Sequence, residues 1–407
     1  MLETRPEVPT ASSQAPPKEP GEFSLVGGGP LYQIWRRTRL AGDGLERTTR
    51  RVLVTVAFAW VPLFLLSIAE GRAWGGGYAP SFMQDVEIQV RLLVAVPFLI
   101  LAEVTVHRQM TPIVRCFVEH GLVQDTERWR LDAAIASAMR LRNSVLAELL
   151  LVALVYGVGM LFIRRTQFML DADSWYASVV GGRQQLTYAG WWGALVSMPL
   201  VQFLVVRWYF RFFVWARFLW QVSRIDLNLK PTHPDGAAGL GFIALTERAC
   251  RPVLLAMGAM LSGMIANRVF YAGAPLLEFK VELIGMVALL IFTILGPMLV
   301  FTPKLVEARH RGMLEYGRLG RQYSLEFERK WLRGERPADE PLLGSADIQS
   351  LADLRSAFQV IRGMRVVPFD LRNVIALALV TLTPVIPLVL ATFPVEVILD
   401  RLLKTVF

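Results

Sequence analysis

Runs of apolar residues about as long as a membrane is thick recur along the chain, and polar stretches separate them. A helix rises 1.5 Å per residue, so about 20 mostly apolar residues cross the hydrocarbon core of a bilayer. Seven segments reach or approach that length, and they lie at 52–69, 92–106, 143–163, 189–209, 252–272, 281–302 and 373–393. The pattern predicts an all-α fold, a polytopic transmembrane helical bundle of about seven spans with a small helical cytoplasmic layer.

Two of these segments depart from a simple crossing. The second is short and Pro97 interrupts it, although the residues that follow extend it as a helix. The seventh contains Pro384 and Pro387, so we expect a kinked or re-entrant segment there. Beyond it, apolar residues of 394–407 recur at helical spacing, which predicts an amphipathic helix lying on the outer surface of the bilayer.

The polar stretches predict how the chain is divided. Its first residues are rich in proline and glutamate and lack the apolar region of a signal peptide, which is typical of a disordered tail. The predicted parts are a disordered cytoplasmic tail (1–30), a bundle of six spans (31–302) with inner loops 107–142 and 210–251, a cytoplasmic helical segment (303–370), and the last span with the amphipathic helix (371–407).

Helical patterns also occur within the cytoplasmic parts. Residues 107–142 contain few helix breakers and predict a helix that runs into the third span. Residues 303–333 predict a charged helix that continues the sixth span, with Glu326 spaced to pair with Arg329 and Lys330. A further helix is expected from Ser345, a typical N-cap, to a C-cap at Gly363.

Composition agrees with a membrane protein. Hydrophobic residues make up 54% of the chain and charged residues 19%, whereas about a quarter of the residues of a soluble domain are charged. Two cysteines exclude a disulfide framework. The net charge of +9 is compatible with nucleic-acid binding or with basic cytoplasmic loops, and the distribution of the charges separates these two explanations.

The basic residues are segregated to one side of the predicted bundle. With the N-terminus inside, 34 of the 43 lysines and arginines fall in the cytoplasmic stretches 1–51, 107–142, 207–251 and 303–372. This distribution follows the positive-inside rule, although those stretches are also the longer ones. It predicts a cytoplasmic N-terminus and a periplasmic C-terminus in a bacterial inner membrane, with no role in nucleic-acid binding.

Two carboxylates lie inside predicted spans, Glu103 and Glu148. Both are about 6–8 Å from the inner ends of their helices by helical rise. Ionisable groups are costly in lipid, so they have either a structural partner or a function. One interpretation is ion pairing with Arg207 or Arg211, which enter the bundle from the same side; the other is a role in proton or cation movement.

Arg207 and Arg211 belong to an aromatic stretch at the end of the fourth span, VVRWYFRFFVWARFLWQVSR. Such a stretch is typical of an interfacial belt, in which aromatic rings and extended arginines meet the headgroups. It is also compatible with a surface that binds anionic lipid or phosphate.

The segment KPTHPDGAAGLGF, residues 230–242, contains the other candidate site residues. One interpretation is structural: Asp235 caps a short helix over 236–249, and small residues allow close packing. The other is a binding loop, in which His233 and Asp235 face a ligand and free backbone N–H groups near the glycines attract an anion. The glycines concerned are Gly236, Gly239 and Gly241. The segment is not a nucleotide-binding P-loop, and no ligand spacing indicates a metal site.

The segment GWWGALVSMPLVQFLVVRWYFRFFVWARFLWQVSRIDLNLKPTHPDGAAGLGF, with LLGSADIQSLADL and MRVVPFD, resembles a family of uncharacterised bacterial multi-pass inner-membrane proteins that carry a PTHPD-x-A-x-GLGF cytoplasmic loop. The resemblance covers most of the chain after the tail. It implies a multi-pass membrane protein and supplies no activity, cofactor or catalytic residue.

The sequence favours a non-enzymatic protein that binds an anionic ligand, a lipid or a partner at its cytoplasmic face. His233, Asp235, the three glycines, Arg207 and Arg211 would form that site. The alternative is a secondary transporter or a proton- or cation-conducting protein that uses Glu103 and Glu148. An enzyme acting on lipids ranks last, because no nucleophile accompanies His233. No cofactor is expected, the lipid bilayer is the expected partner, and the sequence leaves homo-oligomerisation open.

Overall fold

A computed structural model of the protein describes residues 23–28, 48–75, 80–166, 174–180, 183–334 and 346–392. The helices of this part of the chain are α1 (Thr48–Ala69), α2 (Val86–Glu119), α3 (Arg128–Arg142), α4 (Val145–Thr166), α5 (Tyr188–Val222), α6 (Thr246–Ala272), α7 (Lys280–Leu295), α8 (Thr302–Phe327), α9 (Ala346–Arg362), α10 (Leu371–Leu382) and α11 (Ile386–Thr392). Two short strands form a hairpin, β1 (Ala177–Val180) and β2 (Arg183–Leu186).

The described residues contain six helical stretches long and apolar enough to cross a membrane, which are Thr48–Ala69, Val86–Glu119, Tyr188–Val222, Gly241–Ala272, Leu276–Leu332 and Leu371–Thr392. A shorter apolar stretch, Val145–Gly157, belongs to α4. Large apolar side chains such as Leu53, Phe58 and Leu149 are exposed on α1 and α4, as expected for faces that meet lipid. The all-α, polytopic fold predicted from the sequence is confirmed, and the chain is a multi-pass membrane protein.

Local changes in helix geometry accompany the prolines of several spans. A π-helical turn at Arg91–Ala95 precedes Pro97, and another at Gly193–Ser197 precedes Pro199. A proline ring collides with the carbonyl four residues earlier in a regular α-helix, and the wider π turn relieves that collision. In the last span, α10 and α11 are joined by a 3₁₀ turn at Thr383–Val385, which contains Pro384.

The inner segment 107–142 is two helices and not the single helix expected. The second span continues as α2 to Glu119, and the chain turns at Gly121, whose φ of 63° is left-handed. The next helix, α3, ends at Arg142, and Asn143 and Ser144 separate it from α4. The second span is therefore longer than its apolar core, because the polar residues that follow the core remain helical to Glu119.

The hairpin formed by α8 and α9 agrees more closely with expectation. The sixth span continues as α8 and a π-helical turn to Leu332, and α9 ends just before Gly363. The expected pairing of Lys330 with Glu326 does not occur; Lys330 Nζ lies 2.8 Å from Asp347 Oδ2 on α9. The expected N-cap Ser345 and the predicted C-terminal helix 394–407 lie outside the described residues.

A β-hairpin near the start of α2 was not predicted. Its strands pair antiparallel with Val180 opposite Arg183. Trp175, just before the hairpin, donates from Nε1 to Asp85 Oδ2 at 2.7 Å, which ties this segment to the start of α2. A Gly-Gly pair between two short strands is a typical hairpin turn signal, and it is present at residues 181–182.

The centre of the bundle is α6, which packs against α2 and α10. Small residues of α6 allow this close approach: a Cβ on Gly258 would lie 2.0 Å from the carbonyl oxygen of Thr381. A Cβ on Gly263 would lie 3.2 Å from the backbone of Glu87. Helices in lipid gain packing energy where small side chains let their backbones meet.

Six residues of the predicted disordered tail are folded. Phe23, Ser24, Leu25 and Val26 are buried against α2, α3 and α5, and Gly27 and Gly28 follow them. For these residues the prediction of disorder is wrong, because their apolar side chains find a packing site that the composition of the tail does not reveal. The rest of the predicted tail lies outside the described residues.

Candidate functional site

The segment 230–242 forms a compact loop organised around the carboxylate of Asp235. Asp235 Oδ1 accepts hydrogen bonds from the N–H groups of Ala237 at 2.8 Å and Gly239 at 3.1 Å. Asp235 Oδ2 accepts one from the N–H of Gly241 at 2.8 Å. Gly239 has a φ of 96°, which disfavours other residues, and a Cβ on Gly241 would lie 2.9 Å from Asp235 Oδ2.

The electrostatics of this loop follow from those bonds. Partial burial raises the pKa of Asp235, but the backbone N–H groups of Ala237, Gly241 and Gly239 outweigh burial and hold that pKa below its ordinary value. His233 Nδ1 lies 2.9 Å from Asp235 Oδ1 and adds to the effect. Of the glycine N–H groups considered available for a ligand, those of Gly239 and Gly241 are thus occupied by the loop's own carboxylate, and that of Gly236 donates to the carbonyl of His233 at 3.2 Å.

The loop also contacts two other parts of the chain at this end of the bundle. Arg365, before the last span, donates from Nη2 to the carbonyl of Asp235 at 2.7 Å and from its backbone to Gly236. Leu122, after α2, packs against the loop, since a Cβ on Gly239 would lie 3.2 Å from Leu122 Cδ2. Ala237, Ala238 and Leu240 are buried beneath these contacts. The loop therefore has a structural role: it holds the ends of several helices together.

The helix expected over 236–249 begins later. Residues 236–240 form turns, a 3₁₀ turn covers Gly241–Leu245, and α6 starts at Thr246 and continues through Pro252. Asp235 is nevertheless a cap in the chemical sense, because it satisfies N–H groups ahead of the helix. The left-handed φ of Gly236, 64°, and of Gly239 prevent the helix from extending back to Asp235.

The second candidate set is a buried cluster of charges where α1, α2, α4 and α5 meet. Glu103 is 2% exposed, and its Oε1 lies 2.6 Å from Arg211 Nη2 and 3.3 Å from Arg207 Nη1. Arg51 of α1 binds the other oxygen, Oε2. Arg207 Nη2 also lies 3.6 Å from Glu148 Oε1 on α4. The expected pairing of the intramembrane acids with Arg207 and Arg211 is confirmed.

Further contacts fix the geometry of this cluster. The guanidinium of Arg211 lies 4.6 Å from the ring centroid of Trp208, a cation–π arrangement. Trp208 Nε1 in turn donates to the carbonyl of Leu99 at 3.1 Å. Arg51 was not among the predicted residues; its position one residue before the first predicted span was the available signal. The cluster links α1, α2 and α5 through charge-assisted hydrogen bonds and α4 through the ion pair with Glu148.

The predicted ligand set is divided between these two places. His233, Asp235 and the glycines bond mainly within their loop and to Arg365, whereas Arg207 and Arg211 bind Glu103. Among the described residues, no ion pair joins the loop to the two arginines. The same part of the chain holds no group of three histidine, cysteine, aspartate or glutamate side chains suited to a metal ion.

A third feature, which the sequence did not indicate, is a groove of about 460 Å³ open on the surface of the bundle. Its wall on α2 carries Phe98, Leu101, Val104, Thr105 and Arg108, and Thr48 of α1 and Pro252 of α6 complete it. Residues 98, 101, 105 and 108 share one helix face and extend over about 15 Å. The groove is apolar over most of its length and ends at a guanidinium.

No protein-family model, no curated protein and no solved structure matches the chain. The geometry of its own residues is therefore the basis for assigning a role to the loop, the charged cluster and the groove.

Proposed function

We propose that this is a bacterial inner-membrane protein that binds an anionic phospholipid at its cytoplasmic side, in the groove lined by α1, α2 and α6. The observation that carries the proposal is the order of residues along the groove: Phe98 and Leu101 at one end, Val104 and Thr105 between, and Arg108 at the other. A phospholipid has the same order, an apolar chain followed by a charged headgroup.

The depth of Arg108 supports this assignment. It follows the second apolar segment by two residues, where the positive-inside distribution puts the cytoplasmic headgroups. Arg108 is exposed, and no carboxylate among the described residues forms an ion pair with it. A basic residue at headgroup level attracts anionic lipid by about 1 kcal/mol, and the apolar wall adds hydrophobic contact with the chain.

The orientation of the protein is part of the same proposal. The N-terminus and the loop 230–242 would lie in the cytoplasm, and the β-hairpin and the C-terminus in the periplasm. Most lysines and arginines would then face the anionic inner leaflet, which supports lipid binding on that side.

The proposal is tested with delipidated protein in detergent, whose thermal unfolding is followed as phosphatidylglycerol, phosphatidylcholine or inorganic phosphate is added. We expect phosphatidylglycerol to raise the melting temperature most. Arg108→Gln should remove the difference between the two lipids, whereas Arg140→Gln, at an exposed arginine of α3 outside the groove, should leave it unchanged.

A second pair of variants tests the apolar wall. Leu101→Trp should obstruct the groove and reduce stabilisation by both lipids, whereas Leu93→Trp, at an equally exposed leucine outside it, should not. A preference for phosphatidylglycerol that survives Arg108→Gln would show that the groove is not the site. Stabilisation by inorganic phosphate alone would identify an anion site without a lipid.

Transport of protons or cations has less geometric support. Both oxygens of Glu103 are engaged by arginines, so a fixed cation already occupies each place where a transported one would bind. Flux of protons or of common cations through protein in liposomes that changes with Glu103→Gln would favour transport over lipid binding.

A further inference from the structure

The segment Phe23–Gly28 lies in a groove formed by α2, α3 and α5 on the same side as the loop 230–242. The ring of Phe23 lies 4.9 Å from that of Phe218 and 5.9 Å from that of Trp215, and the side chain is 2% exposed. Val26 is 1% exposed. This short segment buries an aromatic and two aliphatic side chains, the kind of anchors that dominate peptide recognition.

Polar contacts hold the backbone of the segment in one register. Thr111 Oγ1 donates to the carbonyl of Phe23 at 2.8 Å, and Arg142 Nη1 donates to the carbonyl of Ser24. Ser24 Oγ accepts from the N–H groups of Val26 and Gly27 and lies 2.8 Å from His107 Nδ1. Side chains of the surrounding helices therefore donate hydrogen bonds directly to the main chain of the segment.

The end of the segment requires a residue without a side chain. Gly28 has a φ of 154°, and a Cβ there would lie 2.4 Å from Arg142 Nη2 and 2.5 Å from Asn143 Oδ1. The groove thus fits an aromatic residue at its start and a glycine five positions later. A fit of this detail is not expected from non-specific collapse of an apolar stretch.

The groove that holds Phe23–Gly28 lies directly beyond the buried charges around Glu103. On α2, His107 follows Glu103 by one helical turn, and Thr111 follows His107 by another. On α5, Trp215 follows Arg211 by one turn. The residues that receive Phe23 are hence the next layer on the cytoplasmic side of Glu103, Arg207 and Arg211.

We propose that Phe23–Gly28 is a strap, an intramolecular peptide ligand that closes the cytoplasmic end of the Glu103 cluster and leaves its groove as one unit. The segment meets the helices through side chains and carbonyls, and no described backbone ladder makes it part of the bundle. Its covalent attachment raises its effective concentration in the groove above that of a free peptide.

The strap is tested in the full chain with a cysteine at its contact point. In a background with Cys116→Ala and Cys250→Ala, Thr111→Cys reports whether Phe23 covers position 111. Adding Phe23→Ser should raise the rate of maleimide labelling at that cysteine by roughly 10- to 100-fold, as expected when a buried phenylalanine is lost. A synthetic peptide of residues 22–29 should restore the slow rate.

Two controls separate release of the strap from general loosening. Thr105→Cys, on α2 but in the lipid groove, should be labelled at the same rate whether position 23 carries phenylalanine or serine. Phe213→Ser, which replaces an exposed phenylalanine of α5, should not change labelling at position 111. Equal acceleration at positions 105 and 111, or no acceleration at either, would overturn the proposal.

A measurement on the unaltered chain covers the case in which Phe23→Ser fails to fold. Hydrogen exchange of the amides of Val26 and Gly27 should be slowed relative to the free peptide, yet should proceed without exchange in the middle of α2 and α5. Exchange as fast as in the free peptide would rule out a docked strap, and exchange only on global unfolding would make the segment a fixed part of the bundle. The outcome is independent of lipid binding at Arg108.

Discussion

Arg211 Nη2 and Glu103 Oε1 lie 2.6 Å apart inside the bundle, on two spans that are more than 100 residues apart in the sequence. Arg51 of a third span binds the same carboxylate. Removing one partner of a buried ion pair leaves uncompensated charge in a medium that cannot solvate it. The stability of the protein should therefore depend on Glu103 more than on any exposed acid.

We expect Glu103→Gln to lower the free energy of unfolding by about 3–5 kcal/mol, because the arginines around it lose their common counter-charge. Thermal unfolding in detergent measures the change. Glu307→Gln is the control, since Glu307 pairs at 2.9 Å with Arg311 in water and exposed pairs contribute about 1 kcal/mol or less. Equal effects of the two substitutions would show that the cluster does not hold the spans together.

The pairing in this cluster was predictable in part. Equal depth of Glu103 and Glu148, and entry of Arg207 and Arg211 from the same side, indicate the partners without a structure. Arg51 was missed because hydropathy indicates the length of a span and not its rotation, and only rotation decides which side chains of α1 face α2. The groove beside Arg108 was missed for the same reason: its wall combines three spans.

Asp235→Ala should destabilise the loop 230–242, because the N–H groups of Ala237, Gly239 and Gly241 lose their acceptor. The expected loss is about 1–3 kcal/mol, the usual cost of leaving donors unsatisfied. Asp226→Ala, at an exposed aspartate just before the loop, is the matched control and should change the melting temperature little. A similar effect of both substitutions would contradict the structural role of the Asp235 carboxylate.

The same carboxylate predicts a dependence on pH. The pKa of Asp235 is lower in the folded protein than its ordinary value of 3.8, so the stability that it contributes is fully present above about pH 5. That contribution is lost as the pH falls below 3.8 and through the folded pKa. The difference in melting temperature between the wild type and Asp235→Asn should be constant near neutrality and shrink in acid. A difference that grows in acid would contradict a lowered pKa of Asp235 in the folded protein.

Gly258→Ala and Gly285→Ala should have opposite effects although both replace a helical glycine. A Cβ at position 258 meets the carbonyl of Thr381 at 2.0 Å, so α10 must shift and the expected cost is about 1–3 kcal/mol. At position 285 an added Cβ would meet no atom of another element within 4 Å, and alanine should stabilise α7 by about 0.5–1 kcal/mol. Melting temperatures measure both changes. Neutral behaviour of Gly258→Ala would mean that α6 and α10 are not in close contact.

Apolar run length predicted the approximate positions of the six spans found among the described residues, since a helix in lipid must satisfy its backbone internally. The third predicted segment, 143–163, contains only a shorter apolar stretch, Val145–Gly157. The sequence pattern did not predict the features whose structure depends on tertiary contacts. Phe23–Gly28 follows a tail rich in proline and glutamate, and only the groove beside Trp215 and Phe218 accounts for its order. The loop 230–242 indicated a cap at Asp235, but the binding of three N–H groups by that one carboxylate depends on left-handed turns that composition does not specify.

The orientation of the bundle is tested by labelling with a membrane-impermeant maleimide. Glu278→Cys and Ser350→Cys each introduce a thiol at an exposed position, the first between α6 and α7 and the second on α9, in a background with Cys116→Ala and Cys250→Ala. The excess of lysine and arginine around α8 and α9 predicts that Ser350→Cys is protected in intact spheroplasts and reacts only after lysis. Glu278→Cys should react in both. The reverse pattern would put Arg108 in the outer leaflet, where far fewer anionic headgroups are expected, and would remove the electrostatic basis for lipid binding in the groove.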